Sequence, residues 1–138
     1  MHLAYLLIGS NLGDKATYLN TASSYIQQEC GEIVKQSSYY ETEPWGFTEQ
    51  PPFFNQALQV ETALSASELM QQLLTIELSL GRERLLPLGP RSIDIDIIYF
   101  NSEIIQSEIV TIPHPRMEQR NFVLIPLNEI APNYIHPI

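Results

Sequence analysis

Gly89-Pro90-Arg91-Ser92-Ile93-Asp94-Ile95-Asp96-Ile97-Ile98-Tyr99-Phe100 reads as a turn leading into a strand. Ile93, Ile95 and Ile97 alternate with other residues, and a period of two places them on one buried face. Asp94 and Asp96 then share the opposite face, with Cα atoms about 6–7 Å apart. Like charges so placed repel by roughly a few tenths of a kcal/mol or more. A divalent cation would offset that repulsion. Magnesium is held by one or two carboxylates together with substrate phosphates, and a pair of ions about 3.5–4 Å apart fits such a site. On its own the short Asp-x-Asp pattern reads more readily as a solvated polar face on an edge strand.

Its surroundings favour the site. The chain has three Asp against thirteen Glu, and two of the three lie here. All five Arg fall between residues 82 and 120, on both sides of the strand. Carboxylates for metal beside guanidinium groups for phosphate are what a nucleoside triphosphate requires.

The 138 residues, 44% apolar and 17% charged, suit one globular domain spanning 1–138. The first residues, Met1 to Ile8, have no basic leader and read as a strand, and no apolar run is long enough to span a membrane. The single Cys30 has no internal partner and falls on an apolar helix face, which suits a buried thiol in a reducing cytoplasm. A net charge of −9 argues against a nucleic-acid partner. Residues 1–81 carry two Lys against nine acids, whereas residues 82–138 carry five Arg against seven. The second part therefore suits a small phosphorylated ligand better than a polymer.

Residues 3–8 are expected to form a first strand, ending at Gly9-Ser10-Asn11. Asp14 caps a helix with Leu19, Ala22, Ile26 and Cys30 inward, closed by Gly31. A second strand is expected from about Ile33 to Glu41. Residues 42–52, with three Pro, a Gly and the aromatic pair Trp45 and Phe47, form a loop suited to covering a ligand. Phe53 to Thr62 reads as a third strand with Phe54, Leu58 and Val60 on one face and Phe53, Asn55 and Ala57 on the other. Ser65-Ala66-Ser67-Glu68 is a capping box opening a helix with Leu69, Leu73, Ile76 and Leu80 inward. A second Pro/Gly loop precedes Gly89. Downstream come a turn at Asn101-Ser102, a short strand or extended segment from Glu103 to Ile112, and helical pieces from Met117 to Ile130 interrupted or kinked by Pro126. The order to Phe100 is β-α-β-β-α-β, which predicts an α+β, ferredoxin-like fold: an antiparallel sheet with both helices on one face. The other face is expected to be free for the two loops and the Asp pair.

Gly9-Ser10-Asn11, Phe53-x-Asn55, Glu77 before Gly81-Arg82-x-Arg84, Gly89-Pro90-Arg91-x-x-Asp94-x-Asp96, Pro113-His114-Pro115-Arg116 and Arg120-x-Phe122-Val123-Leu124-x-Pro126-Leu127-x-Glu129-Ile130-Ala131-Pro132 follow one another in order. Over essentially the whole chain this resembles the 6-hydroxymethyl-7,8-dihydropterin pyrophosphokinases of the folate pathway. The resemblance implies pyrophosphate transfer from MgATP to the pterin hydroxymethyl oxygen, with release of AMP; a monomer is expected, although the sequence itself does not give the oligomeric state. It also implies two Mg²⁺ on Asp94 and Asp96, with Arg82 and Arg91 clamping the transferring phosphates. Glu77, Arg84, His114 and Arg120 would complete the ATP shell. The pterin would lie between Phe53 and Phe122, bonded by Asn55, with Thr42 and Trp45 from the first loop. Phe53 stands where other members carry Tyr, and Leu88 where some carry Trp.

Taken singly, these residues have plainer readings. Phe53 and Phe122 read as core, His114 as a satisfied loop histidine, and Glu77 as an exposed helix residue pairing with Arg82 or Arg84. Two other functions fit parts of the pattern. Another Asp-x-Asp metal transferase would need magnesium without forming AMP from a pterin. A non-catalytic ferredoxin-like module would bind its ligand without metal.

Overall fold

A computed structural model describes residues 1–11, 14–42, 52–80, 93–114 and 121–132. The elements run β1 (His2–Ser10), α1 (Lys15–Glu29), β2 (Gly31–Gln36), β3 (Tyr40–Thr42), β4 (Phe53–Thr62), α2 (Ala66–Ser79), β5 (Asp94–Phe100), β6 (Ile105–Gln106), β7 (Thr111–Ile112) and α3 (Asn121–Ile130). The main sheet is antiparallel in the order β2-β4-β1-β5, with β3 also paired to β4. This is the expected ferredoxin-like strand order.

Local chemistry accounts for the boundaries. The Asp14 carboxylate accepts from Thr17 N–H and starts α1. Ser65 and Glu68 form both halves of the capping box that starts α2. The expected second strand divides into β2 and β3. The β2–β4 register shifts between Ile33 and Lys35, and Ser37 then bridges the gap. Its N–H donates to the Ala57 carbonyl while its hydroxyl accepts from Ala57 N–H, both at 2.9 Å. Gly31 is the first residue of β2: a Cβ there would sit 2.0 Å from the Glu61 carbonyl oxygen, so only glycine permits this approach. The extended segment after Asn101 is a small β6–β7 hairpin, and Asn101 takes the left-handed conformation (φ 53°) in the turn that leads from β5 towards it. Of the two effects expected at Pro126, the interruption does not occur, since α3 continues through it.

One face of the sheet presents Ala4, Leu6, Ile8, Leu58, Val60, Ile95 and Ile97 to Leu19 and Ile26 of α1 and Leu69, Leu73 and Ile76 of α2. The expectation that the other face is left to loops and the Asp pair needs correction. There α3 packs Val123, Leu127 and Ile130 against Tyr5, Leu7, Ala57, Ile98 and Tyr99. The reason lies in β1, whose odd positions are as apolar as its even ones, so both faces require cover. A register shift between β1 and β5 at Tyr5/Leu6 leaves Ile98 as the extra residue, so that Ile98 and Tyr99, neighbours in sequence, both face this second core. The end of the second face beyond α3 carries the candidate site.

Candidate active site

Strand register assembles the site. Gly9 of β1 pairs with Asn55 of β4 on one side and Asp94 of β5 on the other, and Asn55 pairs in turn with Tyr40 of β3. Tyr40, Asn55, Gly9 and Asp94 thus form one rung across four strands. Paired residues share a face, so this rung lies on the side covered by α3. One rung further in, Asp96 pairs with Leu7. The two aspartates are half-buried, on the same face of β5 and two residues apart.

Asn55 is buried, and a Cβ on Gly9 would come within 2.7 Å of its Oδ1 and 3.6 Å of the Phe53 ring. The missing side chain of Gly9 is therefore the space that the Asn55 amide and Phe53 occupy. Phe54, pointing to the opposite face, backs this part of β4. Its ring stacks on Tyr39 at 6.3 Å, and the Lys15 ammonium lies 4.8 Å from its centroid. Lys15 also donates to the Pro52 carbonyl at 2.9 Å.

Glu77 is not the exposed residue of its plainer reading. It is 3% exposed, and its Oε2 accepts from Ile95 N–H at 2.8 Å. Because β5 is the outer strand of the order, no other strand among the described residues lies on that side to receive the N–H. Glu77 takes that role and fixes the backbone between the two aspartates. His114 joins them from the segment after β7: its N–H donates to the Ile98 carbonyl at 3.2 Å, and its Nε2 lies 3.8 Å from Asp96 Oδ1. That contact is an ion pair when the ring is protonated. Half-buried carboxylate oxygens are hard donors of the kind magnesium takes, and they leave most of its positions for water or phosphate.

Among the expected site residues, the structure thus brings together Phe53, Asn55, Asp94, Asp96, Glu77 and His114. Thr42 and Phe122 contribute only backbone to the description, as the last residue of β3 and the second of α3. Trp45, Arg82, Arg84, Arg91 and Arg120 lie outside the described residues. Two contributors escaped the sequence reading. Tyr40 carried only a short-strand signal. Lys15 gave a faint one, being one of two lysines and standing directly after a helix cap.

The model of the family 7,8-dihydro-6-hydroxymethylpterin-pyrophosphokinase (HPPK) matches residues 5–132. A 2-amino-4-hydroxy-6-hydroxymethyldihydropteridine pyrophosphokinase of Bacillus subtilis is 45% identical over 131 residues, covering 94% of this chain and 78% of that protein. The Aquifex aeolicus protein of the same name is 41% identical over 138 residues, covering 100% of this chain and 86% of that one. Among solved structures, an HPPK-DHPS in complex with substrates superimposes with a TM-score of 0.77 at 19% identity. It covers 98% of this chain, which spans only 41% of that longer one. That likeness carries the fold alone. With a family match across nearly its whole length and relatives above 40% identity, the chain belongs to the 7,8-dihydro-6-hydroxymethylpterin-pyrophosphokinases, the pyrophosphate transferases of folate biosynthesis.

Proposed function

We propose that the family reaction runs across the Asn55–Gly9–Asp94 rung, with the pterin at the Asn55 end and the triphosphate of ATP at the aspartate end. The observation that carries this reading is the register itself, which sets a buried amide and a carboxylate pair on one face with only a glycine between them. In the reaction the hydroxymethyl oxygen forms a bond to the β-phosphorus of ATP. The bond from that phosphorus to the α-phosphate bridging oxygen breaks, and AMP and the hydroxyl proton leave.

In this reading Asp94 and Asp96 hold two Mg²⁺, which when bound neutralise the triphosphate and orient its β-phosphorus. Glu77 keeps the strand between the aspartates in register, at the edge of the nucleotide subsite. His114, beside Asp96, together with Arg82, Arg84, Arg91 and Arg120, supplies donors for phosphate oxygens. Arg82 and Arg91 act on the group in transfer. Asn55 bonds the amide-like edge of the pterin, Phe53 and Phe122 stack on its faces, and Thr42 and Trp45 complete that end. The alternatives, another Asp-x-Asp transferase or a non-catalytic module, gain no support from a family match over residues 5–132. We further read residues 1–138 as one domain acting as a monomer in the cytoplasm. The buried, unpaired Cys30 suits that compartment. Among the described residues no helix is long and apolar enough to cross a membrane.

The test is turnover and metal dependence of Asp94→Ala and Asp96→Ala. Loss of metal-derived charge stabilisation worth several kcal/mol lowers kcat by about a thousandfold or more. Near-wild-type kcat in both variants would contradict the assignment.

A further inference from the structure

The rung extends past Asn55 to Tyr40, and Tyr40 is held from outside the sheet. Glu129, in the last turn of α3, accepts from the backbone N–H of Ser38 at 3.0 Å (Oε2) and 3.2 Å (Oε1). It accepts from the Ser38 hydroxyl at 3.5 Å and from the phenol of Tyr40. Charge-assisted bonds of this kind are stronger than neutral ones. They join α3 to a strand whose ladder, among the described residues, is to β4 alone. That strand, β3, is three residues long. Tyr40 and Thr42 are the register partners of Asn55 and Phe53.

We propose that Glu129 is a positioning residue for the pterin end of the site. By gripping Ser38 and Tyr40 it holds β3 against the Phe53–Asn55 segment of β4, and so fixes the Asn55 amide above Gly9. The inference rests on the reading of Asn55 and Phe53 as the pterin subsite. Glu129 touches neither the aspartates nor the His114 segment in any described contact, so its influence falls on pterin and not on ATP. The hydrogen bond also shifts both groups. The bond to Glu129 pushes the Tyr40 phenol up, and the same bond holds the Glu129 carboxyl below its ordinary range.

The experiment compares steady-state kinetics of wild type, Glu129→Ala, Glu129→Gln, Tyr40→Phe and the Glu129→Ala/Tyr40→Phe double variant, with melting temperatures alongside. Glu129→Ala raises KM for 6-hydroxymethyl-7,8-dihydropterin about tenfold and leaves KM for MgATP within about twofold, the scale of one well-made hydrogen bond. Glu129→Gln, which can still accept from Ser38 N–H, recovers part of the loss. Tyr40→Phe, which removes only a hydroxyl and spares the fold, moves pterin KM in the same direction. The double variant is no worse than Glu129→Ala alone. Unchanged pterin KM in Glu129→Ala and Tyr40→Phe overturns the proposal. So does a parallel rise in both KM values that tracks a fall in melting temperature. A wild-type chain inert towards the pterin overturns the reaction assignment together with this inference, whereas an active wild type with indifferent variants overturns this inference alone.

Discussion

A Cβ on Gly9 would lie 2.7 Å from Asn55 Oδ1, across the β1–β4 pairing that also sets Gly9 beside Asp94. In the proposed reading the pterin end lies on β4 and the aspartate end on β5, and β1 between them is bare at Gly9.

Gly9→Ala consequently forces the buried Asn55 side chain out of place. The expected result is a pterin KM raised about tenfold or more, from the loss of one buried hydrogen bond to substrate. MgATP KM should change little. Equal effects on both substrates, or none, would show that the Asn55 amide is not held by this gap.

Removing Glu77 strands the Ile95 N–H on the outer strand. Glu77→Ala should cost about 2 kcal/mol, seen as a melting temperature lower by roughly 5–10 °C. Glu77→Gln keeps an acceptor and should lose less than half as much. An alanine variant as stable as wild type would remove Glu77 from its supporting role between the aspartates.

Cys30 offers a check on the core. Burial first, and the nearby Glu29 charge second, push its thiol up from an ordinary 9.0 to about 11. At pH 8 a thiol reagent should therefore react about a hundredfold more slowly than with the unfolded chain, because the thiolate is the nucleophile. A raised thiol pKa means that the folded chain keeps its proton when the unfolded chain has lost it. This contribution to stability is accordingly full below pH 9 and declines between pH 9 and about 11. Reaction at the free-thiol rate under native conditions would contradict the burial of Cys30.

How much of this could be read without coordinates depended on how local each signal was. The period of two through Ile93, Ile95 and Ile97 and the capping box at Ser65 are written in neighbouring residues, and both held. Phe53, Asn55 and the aspartate pair were assigned to the correct face by alternation alone. The role of Gly9 was hidden because it arises from strand register between residues 46 positions apart. The anchor at Ile95 was hidden for a similar reason, since nothing in the helix pattern turns Glu77 inward. Placing α3 on the second face required weighing Tyr5 and Leu7 as core residues, although β1 already had a complete apolar face in Ala4, Leu6 and Ile8. Glu129 reaches Tyr40 across 89 residues, a contact that no periodicity announces.

The most direct test of the account is to incubate the protein with ATP, Mg²⁺ and 6-hydroxymethyl-7,8-dihydropterin and to separate the nucleotides. The account predicts AMP in amounts equal to the pyrophosphorylated pterin, and only when both pterin and metal are present. Formation of ADP, or of AMP without pterin, would contradict it.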